Sequence, residues 1–552
     1  ILLVFIIIMS SASSSGKITV NIANTGTATI TATPATGVTV SSMAIASPSG
    51  ANKGTPSISY TAGNTGTAQY ISTISAGNYG NDSFTVVVTF SDSTVVNVSQ
   101  NVTINCTGQR SDVKTVSNGS AAATVNAPTT VTASNINAIT ANTLTIDSAV
   151  TTITGTMNDL HTLANDSSIT TNNQALTVTD TVTDVAKGKK ICDESTGTIT
   201  FSGTPNLSAD LSDLASNTAL TSNFTTIKNE TGLAAITIRI NDAANALSGA
   251  NANALQLVGG ATTGTVTLQN SQTIQGTAAN MLAALHTTSS KVALNASTDL
   301  IITNASTGAN LTNILAASNV NDCEIRGTCT IANATTLTTN SNTLTLGNSG
   351  KIINNGTLTN GGTIDFANNN SGIQLGANTT LANTITISAD TTFATGTSNL
   401  AISSAFNVGA NTVTVSGTGN LTGGKITLND ADSLFKRTGV GSIDNDIDLA
   451  ADSNANKGLQ VTANTALSGN LTLNGDSNII LDANLTYSGN DVNVGPNSLT
   501  VSGTGTLTGK KFTLNNADSL FKRSGAGTIG SAIALSADSN ANKGLQVTAN
   551  TT

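Results

Sequence analysis

The sequence predicts a mainly β chain in three parts. These are an N-terminal β-sandwich, a β-rich middle with short capped helices, and a C-terminal right-handed parallel β-helix. Three observations predict it. Apolar residues alternate with Thr and Asn through most of the chain, which is the two-residue period of strands. Of the 552 residues 38% are apolar but only 3% aromatic, with no Trp, so any core must be narrow and built from small and branched side chains. Long identical tracts recur: Ala431 to Arg437 returns as Ala517 to Arg523, and Ala451 to Asn464 as Ala537 to Asn550. The phrase Ile373-Gln374-Leu375 returns as Leu459-Gln460-Val461 and Leu545-Gln546-Val547, at intervals of 86 residues. A fixed long period signals stacked units.

The chain opens with a continuous apolar run, Ile1 to Met9, followed by Ser10-Ser11-Ala12-Ser13. A helix needs roughly 20 residues to cross a bilayer, so the run is too short to span. It fits the end of a secretory h-region, with Ser10 and Ala12 as the small residues before a cut. Residues 1–15 are therefore read as the remnant of a signal peptide. The competing reading is a buried N-terminal strand. Because the chain starts at Ile1 and stops in mid-repeat at Thr552, it is expected to be a fragment of a longer protein.

Residues 16–106 are expected to form the sandwich. Phe84, Val86, Val88 and Phe90 alternate, then Ser91-Asp92-Ser93-Thr94 turns, and Val96, Val98, Val102 and Ile104 follow. Ile18-Thr19-Val20 and a turn at Asn24-Thr25-Gly26 come earlier. Short strands at close spacing are the pattern of immunoglobulin-like sandwiches. In this pattern the span resembles the Ig-like modules of bacterial surface proteins.

Over 107–330 strands such as Thr143 to Ile146 and Ile236 to Ile240 alternate with helical phrases. Gly155-Thr156 precedes Asp159, Leu160 and Leu163; Gly276-Thr277 precedes Asn280, Met281 and Leu285; Ser208 precedes Leu211 and Leu214. Each opens on a Thr or Ser N-cap and then places apolar residues three or four apart. These phrases resemble the degenerate repeats of giant cyanobacterial and marine bacterial surface proteins.

Residues 331–552 read as strand and turn alone. Leu471, Leu473, Leu499, Val501 and Leu514 are expected inside, with outward Thr and Asn hydrogen-bonding along the column. The phrase Asn354-Asn355-Gly356-Thr357-Leu358-Thr359-Asn360-Gly361-Gly362-Thr363-Ile364 resembles the β-helical shafts of filamentous-haemagglutinin-like and autotransporter-type adhesins. With about 20 to 22 residues per coil, one repeat makes about four coils and adds about 19 Å of shaft.

The net charge of −9 argues against nucleic acid, which needs clustered Lys and Arg, and against an anionic membrane surface. Four cysteines are neither a disulfide scaffold nor a zinc pattern. Cys323 and Cys329 bracket a Gly327 turn and are candidates for a local disulfide; Cys106 and Cys192 could pair with each other. His161 and His286 lack ligands at metal spacing and carry no expected chemistry.

Asp444, Asp446 and Asp448 would share one strand face, yet the next copy has Gly530, Ala532 and Ala534 there, which favours a solvated face over a calcium or lyase site. Asp452, Asn454 and Asn456, repeated as Asp538, Asn540 and Asn542, are weak calcium candidates. The EF-hand pattern fails at Lys457 and Ala463, so turns made by Asx side chains are favoured. Phe435-Lys436-Arg437 is read as a coil corner with Phe inward and both cations solvated.

No catalytic or cofactor-binding residue is assigned and no enzyme is expected. The expected role is a secreted, extracellular structural protein of adhesin type, an elongated shaft for adhesion or display. Cell-surface glycans or other cells are the expected partners, with no nucleic acid and no small-molecule substrate. The alternatives are a surface-layer or matrix-fibre subunit that meets like chains in a lattice, and a carbohydrate-active β-helix enzyme.

Overall fold

A computed structural model describes residues 10–15, 18–21, 25–46, 51, 54–72, 80–105, 122–125, 129–138, 143–171, 173–230, 232–247, 251–286, 292–359, 361–536 and 538–548. Most of the signal-peptide remnant, Asn24 of the proposed turn, and Cys106 lie outside them. The chain is mainly β with long parallel sheets, an arrangement compatible with a β-helix-like solenoid. It divides into two compact units, residues 1–209 with 221–238, and residues 210–220 with 239–552.

The first unit opens with two four-stranded sheets. Their strands are β1 (Ser11–Ser14), β2 (Ile18–Asn21), β3 (Thr25–Thr33), β4 (Val40–Ile45), β5 (Gly54–Ser59), β6 (Thr65–Ser72), β7 (Gly80–Phe90) and β8 (Val95–Asn105). One sheet has the order β1-β3-β6-β5 and the other β2-β8-β7-β4. Pairing is antiparallel except between β2 and β8, which is parallel. The expected alternation holds in β7, where Phe84, Val86, Val88 and Phe90 are all buried. Tyr70 of β6 stacks on Phe84 of β7 at 5.8 Å and so ties the two sheets together. The turn at Ser91–Thr94 forms as expected, with Asp92 Oδ1 accepting the Thr94 N–H at 2.9 Å. Thr25 and Gly26 are not in a turn but already in β3, because their alternation with Ala28 and Ile30 extends the strand backwards.

After the two sheets the first unit turns to parallel pairing. Val131, Ile153, Leu176 and Ile199 are successive register partners, 22 or 23 residues apart. Between these strands lie short helices. Thr156 caps Met157–Asn165 by accepting the Asp159 N–H, as the sequence predicts. Asp184 caps Val185–Glu194 in the same way, a helix that the apolar pattern alone does not announce.

The second unit continues the plan. Asp210, not Ser208, stands at the N-cap of Leu211–Leu214, without a side-chain capping bond, and Asp242 accepts the Leu211 N–H; Ser208 lies in the strand Leu207–Ala209 of the first unit. Thr277 caps Ala278–Leu285 and Thr307 caps Gly308–Leu315 through their hydroxyls. These two helices pack on one another, and the later one packs on the strand Thr336–Thr338, so a row of helices gives way to strands. Thr312 Oγ1 accepts the Thr338 N–H at 2.9 Å across that change.

A twelve-stranded parallel sheet runs from Ser306–Thr307 to Gly544–Val547, and a six-stranded sheet from Thr273–Gly276 to Thr384–Ile387. Parallel sheets of seven and four strands span residues 379–509 and 406–473. Phe366, Phe393 and Phe406, one from each of three sheets, meet edge to face at 5.2 and 6.3 Å. In the twelve-stranded sheet Phe435, Leu459, Ile479, Val501 and Arg523 are successive partners, at intervals of 24, 20, 22 and 22 residues. Each 86-residue repeat thus contributes four strands to this sheet. Leu471, Leu473, Leu499, Val501 and Leu514 are all buried.

Stacking is what buries these columns. Leu449, Leu459 and Val461 are 0% exposed, while their counterparts Leu535, Leu545 and Val547, on the last described strands, are 60%, 48% and 52% exposed. Leu499→Asp is therefore expected to lower stability by about 3–5 kcal/mol, since it leaves an uncompensated charge in the column. Thr500→Asp, one residue on and facing outward, should change it by about 0.5 kcal/mol or less. Urea denaturation followed by far-UV circular dichroism distinguishes the two, and equal effects would refute the inward assignment.

Candidate functional surface

The corners of the second unit are tied by a recurring hydrogen bond. An Asn or Asp side chain at a corner accepts the main-chain N–H of the corresponding residue one coil later. Asn378 Oδ1 accepts from Asn399 N at 2.8 Å, Asn399 from Asn420 N at 2.9 Å, and Asn420 from Ser442 N at 3.1 Å. Asn464 accepts from Asn484 N and Asn484 from Thr506 N, at 3.2 and 3.0 Å. Asp452 accepts from Asp476 N and Asp476 from Ser498 N, both at 2.7 Å. A short carboxamide or carboxylate reaches one strand spacing, so it satisfies an N–H that the corner would otherwise leave to water.

This ladder accounts for the weak calcium candidates. Asp452 is in the ladder, and Asn454 donates through Nδ2 to Asp432 Oδ1 at 2.9 Å. Asn456 has φ +63°, a left-handed conformation that Asn adopts more readily than most residues. In the second copy Asn540 donates to Asp518 Oδ1 at 2.7 Å and Asn542 has φ +65°. Asp538 stands at the start of this second turn. Among the described residues no group of three His, Cys, Asp or Glu is placed to share a metal ion.

The acidic triplet does not lie on one strand face. Gly441–Ile443 and Ile447–Leu449 are separate strands, so Asp444 and Asp446 occupy the corner between them and only Asp448 is in a strand. Asn445 turns inward there and donates to the Gly424 carbonyl at 2.7 Å. Asp446 accepts from Asn470 N, Asp444 from the Ser468 hydroxyl, and Asp448 from Lys425 Nζ at 3.2 Å. Each carboxylate is engaged structurally.

The Phe-Lys-Arg tract departs from expectation. Phe435 and Phe521 are buried as predicted, but so are Arg437 and Arg523, both 0% exposed. A four-residue strand with Phe inward must also turn the residue two positions later inward. Arg437 Nη2 donates to the carbonyls of Gly417, Gly419 and Val440 at 3.1, 2.7 and 3.3 Å. Arg523 donates to Ser502, Gly503, Gly505 and Gly527 carbonyls at 3.0–3.1 Å. Gly417 and Gly503 have φ +92° and +87°, which points these carbonyls at the guanidinium. Burial holds both guanidinium pKa values below the ordinary arginine value. The missed signal was the alternation itself, which places Arg437 in phase with Phe435.

Cys323 and Cys329 are free and buried, on strands of different sheets. Burial pushes the Cys323 thiol up and the Cys329 thiol to about 11, so both stay protonated and unreactive at neutral pH. Cys192 is likewise buried within a helix, its pKa pushed up to about 12. His161 neighbours Asn165 on its own helix, and His286 closes the helix Ala278–Leu285.

Two of the recesses among the described residues gather polar side chains around a charged one. One of about 400 Å³ holds Asp242, Ser216, Asn217 and Asn251. Burial raises the Asp242 pKa, while the Leu211 N–H, donating at 2.8 Å, opposes the rise. The other, of about 260 Å³, opens on the outer face of the twelve-stranded sheet among Lys351, Asn370, Ser371, Gly372 and Gln374.

Arg437→Ala is expected to cost about 2–5 kcal/mol in urea denaturation, through the cavity left and the orphaned glycine carbonyls. Lys436→Ala should cost about 0.5 kcal/mol or less, and equal losses would show that the arginine is not an internal clamp. In comparisons with known proteins, no family model, no curated protein and no solved structure matches this chain.

Proposed function

We propose that this chain is a secreted, surface-displayed structural protein that builds a stiff shaft for adhesion or display. The observation that carries the reading is the 86-residue repeat, each copy of which adds four strands to the twelve-stranded sheet. Each copy adds the same outward surface and about 19 Å of length at the strand spacing. The parallel sheets are read as three walls of a right-handed parallel β-helix.

The first eight strands are read as an immunoglobulin-like sandwich. Their orders, β1-β3-β6-β5 and β2-β8-β7-β4, correspond to strands A-B-E-D against a second sheet containing C, F and G. Such modules and shafts suit presentation outside the cell, where contact with glycans or other cells is broad and repeated. Weak sites at fixed spacing on a rigid support raise effective concentration and so avidity.

Removal of residues 459–544, one complete unit in phase, is expected to leave the remainder folded, since each unit touches only its neighbours. Binding to cells or glycan-coated surfaces should fall by about tenfold or more, following the lost avidity. Asp446→Ala should leave binding unchanged. Cleavage of a polysaccharide by the purified chain, lost on Asp446→Ala, would overturn the reading in favour of an enzyme. Concentration-dependent assembly into sheets or fibres without any cell binding would favour a lattice subunit.

A further inference from the structure

The outer face of the twelve-stranded sheet differs in charge from the rest of the chain. The protein carries 30 acidic against 21 basic residues, yet none of the twelve strands contains an Asp or Glu. The outward charges on this face are Lys351, Lys436 and Lys522. They stand on the strands Lys351–Asn354, Leu434–Arg437 and Leu520–Arg523, each four strands after the last in the sheet order. At the strand spacing this places one ammonium group about every 19 Å.

On the strand after each lysine stands a glutamine. Lys436 is the register partner of Gln460, and Lys522 of Gln546. Lys351 partners Gly372, two residues before Gln374. The first of the three sites borders the recess of about 260 Å³, which Lys351, Gly372 and Gln374 help to line. Ser371, 2% exposed, borders that recess, and its hydroxyl has no hydrogen-bond partner among the described residues. None of the three lysines forms an ion pair among the described residues. Carboxylates do border the face at its corners, but they are engaged: Asp390 and Asp476 hold main-chain N–H groups, and Asp482 holds the Gln460 amide.

We propose that this face binds a linear, carboxylate-bearing polysaccharide laid along the stacking direction, one acidic sugar at each Lys–Gln pair. The proposal rests on the adhesion reading above and names its ligand class. Cation and amide together match a sugar carboxylate beside its hydroxyls, and Thr392, Thr414 and Thr500 on neighbouring strands add hydroxyl partners. The spacing disfavours nucleic acid. Each strand of a duplex presents a phosphate about every 3.4 Å of axis, so cations about 19 Å apart would neutralise few of them.

The test uses the whole chain on immobilised polygalacturonate, neutral dextran and single-stranded DNA. Polygalacturonate should bind, dextran should not, and binding should weaken with added salt. Each of Lys351→Gln, Lys436→Gln and Lys522→Gln should weaken binding by roughly threefold, and the triple variant by about 30-fold, as modest exposed charge contacts combine. A charge-matched triple variant, Lys190→Gln with Lys228→Gln and Lys510→Gln, should bind as the unaltered chain does. Circular dichroism checks that both triple variants are folded. Unchanged binding by the first triple variant, equal binding to dextran, or tighter lysine-dependent binding to DNA would overturn the proposal. If polygalacturonate fails while the chain still adheres to cells, this inference falls and the adhesion reading stands. If cell adhesion is absent too, both fall.

Discussion

Everything in the second unit depends on one constraint: from Val292 onward each strand residue sits over the residue 20 to 26 positions earlier, one strand spacing away. Parallel stacking at that distance makes like meet like. Inward columns must therefore be apolar at every level, or else carry polar groups that bond across the level. Val461, at 0% exposure, and its copy Val547, at 52%, measure what the neighbouring level contributes. Apolar burial of this kind is worth roughly 25 cal/mol per Å², so most of the stability of a coil resides in its neighbours and not within itself.

The same constraint explains the composition. At corners the strand ladder stops, and main-chain N–H groups need acceptors. A short Asn or Asp reaches the next level; a Glu or Gln must order more rotatable bonds to do so. Hence the chains of acceptors Asn378–Asn399–Asn420 and Asp452–Asp476. Asn and Asp that look like ligand sets in the sequence are spent on this internal task. Arg437 and Arg523 are the converse case, long donors that gather carbonyls released where glycine turns break the ladder.

Much of the fold was legible because strand alternation and Thr caps act locally. Thr156 and Thr277 cap their helices through the predicted hydroxyls, and Leu499 and Val501 point inward as their period requires. What was not legible depends on the next level. Ser208 and Asp210 are both good caps in isolation, and the strand Leu207–Ala209 claims the serine. Asp444 to Asp448 alternates like a strand, but the corner falls inside it, and its position is set by the coil below. Arginine is rarely buried, so the bland reading of Arg437 as solvated ignored the phase of its own strand. Of the candidate surface, the calcium-like turns were readable as turns. The Lys–Gln pairs were not readable, because their adjacency exists only once the register is known.

Core and surface are under separate control in such a stack. Inward positions are held by the column, while outward positions on the strands can change without disturbing it. The two repeats differ at Asp444, Asp446 and Asp448, which become Gly530, Ala532 and Ala534, so even the corner hydrogen bonds tolerate change. Lys436 with Gln460 and Lys522 with Gln546 keep the same outward placement, within tracts that recur unchanged. Both glutamines also bond within the chain, Gln460 to Asp482 and Gln546 to the Asn542 carbonyl, while the lysines form no ion pair among the described residues. Half-buried lysines that face outward without an ion pair leave a positive potential on this face, which is what the proposed acidic ligand would meet.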